Sequence, residues 1–322
     1  MKWWIEQGRV HAGERFVVAF YRTLRVPDDG RVYPLPAGLG TFPVHPVEVL
    51  ANRAPQEWQD RGGVVIPMYQ REALWLGFEG ACWKPNAVKV GVGQINAVSG
   101  EPWDTALRAL PQDYLVCPDQ PWLDGINIGD GLVRQFVAMP LGWGYTIEGQ
   151  LTGEEQFGGI QILVVEPKSG RFPDQPPPST ESAFEAFSPV SPLPSPSMGI
   201  AAGGTMRQKI YPDPYGIDIW DPASAETLVV HIANSAHFEA LVGHAPPPTP
   251  IDAETYTRHG FPWFDTYDEQ THSLPSPDRL KGVSSVAGID TSAASGSDEE
   301  PFDVPEEQIR RLRLGTQHGK SP

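Results

Sequence analysis

The chain has 322 residues, of which 35 are proline, 33 glycine and ten tryptophan, with 40% apolar residues and a formal net charge of −16. Interior proline removes a helix hydrogen bond and clashes with the preceding turn, so this composition excludes a long-helix protein and favours strands, turns and extended loops. The acidic excess opposes binding to nucleic acid or to an anionic membrane surface, since lysine and arginine hold proteins to both.

The N-terminal apolar run, Trp3-Trp4-Ile5, is too short for a secretion signal, and Ile162–Val165 is far too short to span a bilayer. Cys82 and Cys117 form no CxxC pair and read as free thiols in a reducing, cytoplasmic setting.

In chain order, the first dozen residues read as peripheral. Strand patterning starts at Arg15–Val26, where Phe16, Val18, Phe20, Leu24 and Val26 share one parity and only Arg22 interrupts it. Pro27-Asp28-Asp29-Gly30 supplies a turn, and the four prolines within 31–49 predict an extended loop. A short helix is expected at Pro55–Arg61. Val64–Phe78 fits either helix or strand. Val88–Val98 predicts a strand and Pro102–Leu110 a short helix. Leu132–Met139, Tyr145–Leu151 and Ile160–Glu166 predict strands, the last two joined as a hairpin.

Residues 167–197 hold nine prolines with serine and few aliphatics, which predicts a disordered insertion within one β-rich domain spanning 1–282. Met206–Tyr211 and Thr227–Asn234 resume the strands, and short helices are expected over 235–259. Residues 283–322 read as an acidic disordered tail carrying an amphipathic helix at about 305–314. The expected fold is mainly β: an antiparallel sandwich or barrel-like sheet with short peripheral helices and long proline-rich loops.

No phosphate loop, HExxH, nucleophile elbow or dinucleotide fingerprint occurs, so no cofactor is expected. The candidate chemistry rests on less specific patterns. Trp122 and Asp124, in Pro121-Trp122-Leu123-Asp124-Gly125, pair an aromatic face with a carboxylate in an expected glycine loop, as sugar sites do. Hydrolysis of a glycan would need a second carboxylate, for which Glu148 and Glu155 are the candidates. Arg71 and Glu72, and Arg134 and Gln135, interrupt apolar runs; they fit either an Arg–Glu pair between strands or a polar ligand cleft. His231 and His237, with His244, fit a metal site. Ile309, Leu312 and Leu314 form one face of the expected tail helix, suited to a partner groove. The functional expectation is a protein that binds a small polar ligand or a protein partner without catalysis. A glycan hydrolase built on Asp124 and a His-dependent metalloenzyme are the alternatives.

Overall fold

The computed structural model describes residues 2–175, 197–249, 251–266, 272–292 and 302–312. The chain is mainly β, and its strands join by hydrogen bonding into one large, predominantly antiparallel sheet that does not close into a barrel.

Two runs of strands make up most of that sheet. The first passes from Arg9–Ala12 through Phe16–Thr23, Ala73–Glu79 and Leu132–Pro140 to Ser197–Arg207. The second passes from Val64–Met68 through Glu226–Asn234, Ile160–Val165 and Asn86–Val92 to Leu115–Cys117. Ser197–Arg207 joins them, since Ser197 and Met198 pair with Ala233 and Ile232 before the strand crosses to Leu132–Pro140. Alternate residues of both runs turn into a single core: Val18, Phe20, Leu76 and Phe136 of the first pack in one cluster with Val90, Ile162, Val230 and Ile66 of the second. Successive strand side chains alternate faces, so each run keeps a second, outer face.

Those outer faces are covered unevenly. Helices Gln56–Arg61 and Ser235–Val242 bring Trp58 and Phe238 over Val65 and Ala233. Tyr114 and Trp220 cover Leu163 and Val165. Helix Val286–Ser292 places Val286 on Ala73, Val137 and Met139.

Several sequence expectations change. Val10 and Ala12 are fully buried, so the N-terminal dozen residues are not peripheral; Trp3–Glu6 and Arg9–Ala12 form a hairpin on the sheet. Tyr145–Leu151 is not a strand. Thr146 accepts a hydrogen bond from the Gly149 N–H and starts a helix, Ile147–Thr152, that left-handed Gly153 ends. Ile160–Val165 therefore forms no hairpin with it and pairs with Asn86–Val92 and Glu226–Asn234. No helix forms over Pro102–Leu110, where Asp104 and Arg108 instead pair around the buried Lys89.

Val283 and Val286, placed in the expected tail, are buried against the sheet. Over the described residues 305–312 of the expected helix there is a tight turn, Glu306–Gln308, followed by a strand, Ile309–Leu312, parallel to Trp263–Thr266. An isolated helix of about ten residues is marginal, and the neighbouring strand satisfies the same backbone groups. Most of the expected proline-rich insertion (176–196), residues 293–301 of the tail, and Leu314 lie outside the described residues.

Candidate ligand cleft

Trp122 and Asp124 do not sit in a glycine loop. Trp122–Leu123 pairs with Ala73–Glu79, and Gly125–Gly129 then pairs with Leu132–Pro140. Gly125 is required at the crossing, because a Cβ there would lie 1.9 Å from the Arg134 carbonyl oxygen. Leu123 faces the core, so alternation turns Trp122 and Asp124 to the outer face; the alternation breaks between the two strands, which returns Ile126 to the core.

Register then assembles a group that no local pattern contains. Gly77 lies between Ala19 and Trp122, and Trp75 is opposite Tyr21. One further step in the same register sets Asp124 beside Trp75. Tyr21 and Trp75 stack with centroids 4.0 Å apart and planes 8° from parallel. Gly77 makes room for that stack, since a Cβ there would come within 2.5 Å of the Tyr21 ring and 3.1 Å of Trp75. The result is an aromatic platform of half-buried rings on the outer sheet face.

Above it lies a cleft of about 260 Å³. Trp75, Trp122 and Asp124 form its floor, the loop Leu35–Gly38 one wall, and Phe264 and Leu312 the other. Backbone hydrogen bonds of 2.7 and 2.8 Å between Leu35 and Phe264 tie the two walls together.

Asp124 is 4% exposed. Gln208 fixes it from the end of the joining strand: its Oε1 accepts from the Asp124 N–H at 2.9 Å, and its Nε2 donates to Asp124 Oδ2 at 2.8 Å. The same Nε2 donates to the Trp122 carbonyl at 3.3 Å, so one side chain holds both residues. Burial pushes the Asp124 carboxyl up to about 7, while hydrogen bonding from the Trp122 side chain opposes the shift. Near neutral pH it can thus accept from or donate to a hydroxyl. Gln208 was not singled out by sequence. A glutamine just past a strand end carries no local signal.

Glu148 and Glu155 are held elsewhere. Glu148 accepts three backbone N–H bonds, from Gln156, Phe157 and Gly158, at 2.8–3.1 Å. Glu155 accepts from Gly144 N, Thr146 N and Thr146 Oγ1. Burial raises the Glu155 carboxyl, but these bonds outweigh it and leave it below the usual range. Neither lines the cleft; among the described residues Asp124 is the one carboxylate that does.

The interrupting polar residues divide between structure and a second cavity. Glu72 Oε1 accepts from Arg22 Nε and Nη2 at 3.1 and 3.0 Å, and Oε2 from the Tyr69 N–H at 2.8 Å. This explains how Arg22 sits on a core-facing parity: it also donates to the Pro248 carbonyl, and Arg22 and Glu72 are both buried. Burial raises the Glu72 carboxyl against the pull of Arg22. Arg71 pairs with both oxygens of Asp290, which Tyr145 also contacts. Arg71 and Glu72 line a cavity of about 420 Å³ with Arg25, Tyr69, Asp252 and Phe302. Arg134 and Gln135 do not meet there. Arg134 donates to the Val283 carbonyl, while Gln135 is spent on Val26 N and the Leu24 carbonyl in the core.

His231 and His237 are not brought together on a metal: among the described residues no group of three His, Cys, Asp or Glu side chains is placed to hold one. His231 Nε2 lies 2.9 Å from the Gly62 carbonyl and its ring stacks on Trp58, 4.9 Å away. Burial depresses it to about 4. Ile309 packs against the core, and Leu312 joins the cleft rather than an external partner face.

Compared with known proteins, the chain matches no family model, no curated protein and no solved structure. The functional reading therefore rests on the geometry alone.

Proposed function

We propose that the protein binds a small polyhydroxylated ring, of the carbohydrate class, in the cleft over Trp75 and Trp122, and does so without catalysis. The observation that carries this reading is the joint lining of one cleft by two tryptophans and the buried carboxyl of Asp124. A sugar ring offers an apolar C–H face to an aromatic plane and hydroxyls to a hydrogen-bonding edge. Sites of this kind are mostly apolar, with a few placed polar groups that fix orientation.

Glycoside hydrolysis uses two carboxyl groups flanking the scissile bond. The single carboxylate among the described lining residues favours binding over hydrolysis.

The test is calorimetric titration with a panel of monosaccharides and methyl glycosides. Binding at micromolar to millimolar Kd is expected for at least one, weakened tenfold or more in Trp122→Ala. Loss of the side chain there leaves the core-facing Leu123 and Ile126 untouched, so folding should persist. No heat with any sugar, or equal affinity in Trp122→Ala, rejects the proposal. Release of reducing sugar from a glycoside would replace it with the hydrolase reading.

A further inference from the structure

The segment Phe302–Leu312 is more lightly buried than the strands of the large sheet beneath the cleft. None of its residues is fully buried. Its strand, Ile309–Leu312, belongs to a two-stranded parallel sheet separate from the large one. Its anchors are side-chain contacts of partly buried residues: Phe302, Val304 and Ile309 pack against the core, the Phe302 ring lies 5.4 Å from Tyr33 and 6.0 Å from Trp263, Asp303 pairs with Arg31 at 2.9 Å, and Gln308 Nε2 donates to the Thr257 carbonyl at 3.2 Å. Burial that is only partial, with Arg310, Arg311 and Leu312 exposed, places such a segment toward the low end of local stability. Yet it supplies Leu312 to the cleft wall, while Phe302 lines the larger cavity.

We propose that this segment is a closing strand whose docking is linked to occupancy of the aromatic cleft, with Leu312 setting the size of ring admitted. The inference rests on the carbohydrate reading of the cleft. The cleft keeps its 260 Å³ with Leu312 in place, so the docked strand is a wall and not a plug. That space is below the range typical of drug-sized ligands and suits a single ring. A ligand touching Leu312 gains contacts only when the strand is docked, so binding shifts the strand toward the docked state. By reciprocity, docking raises affinity for the ligand by the same factor.

The test uses the full chain and whichever monosaccharide or methyl glycoside titrates it. Hydrogen exchange at the amides of 309–312 is expected to slow at least fivefold at saturating sugar. Ile309→Asp puts a charge where Ile309 packs on the core; it should weaken sugar binding at least fivefold with little change in Tm. Leu312→Ala should weaken monosaccharide binding and admit a disaccharide that the wild type excludes. Should Ile309→Asp fail to fold, the exchange measurement on the wild type and Leu312→Ala still decide. Unchanged exchange with sugar, together with wild-type affinity in the variants, overturns the linkage and leaves the cleft reading standing. Absence of sugar binding by the wild type overturns the cleft reading and this inference together.

Discussion

Two outer faces of the sheet each set a tryptophan beside an ionisable group, with opposite outcomes. Under the helices, Trp58 stacks on His231, Phe238 packs beside it, and the imidazole's Nε2 is engaged by the Gly62 carbonyl. On the aromatic platform, Trp122 flanks Asp124, which opens on a cleft. Burial favours the neutral form in both, pulling His231 down to about 4 and lifting Asp124 to about 7. Desolvation alone therefore does not distinguish a binding group from a packed one. What differs is whether a helix or an open volume lies over the tryptophan.

The largest expected effect that sharpens this contrast is on stability. Phe238→Ala removes a fully buried ring from the closed face and should cost about 3–5 kcal/mol in denaturant unfolding. Trp122→Ala on the open face should cost far less and act on binding instead. Equal stability losses would erase the distinction between the faces.

The two ionisable groups should also give opposite pH dependences. Asp124 titrates higher in the fold than in the unfolded chain, so its contribution is fully present near pH 4 and is lost as pH rises toward 7. Asp124→Asn should therefore stabilise the protein by about 1–3 kcal/mol at pH 8, and the gain should vanish near pH 4. His231 titrates lower in the fold, so its contribution holds above about pH 6.5 and is lost as pH falls toward 4. His231→Phe should flatten the stability profile across that acid window. This is the smallest effect, because the lost bond to Gly62 partly offsets it. Thermal melts of both variants from pH 4 to 8 check the signs.

Much of the framework was legible locally. The parity of Phe16, Val18, Phe20, Leu24 and Val26 gave a buried strand face, and all five are at most 1% exposed. Trp122 and Asp124 stood out as an aromatic and a carboxylate two residues apart, a spacing that puts them on one face of a strand. Arg22 and Glu72 stood out as charges within apolar runs; their mutual pairing did not. The helix after Thr146 was missed because its short apolar pattern also fits a strand, and the Thr146 cap and the Gly153 terminus decided it.

The sequence by itself determined the β class, the acidic and proline-rich character, and the alternation that assigns side chains to faces. These follow from composition and from a two-residue period, both local properties. Only the tertiary structure decided that Trp75, some fifty residues from Trp122, lies beside Asp124, that Gln208 holds both cleft residues, and that Leu312 closes the wall. Those meetings depend on strand register and on the parallel pairing of Trp263–Thr266 with Ile309–Leu312. Register is a non-local choice: a strand carries its face in its own residues, but its neighbour is fixed only when the whole core packs.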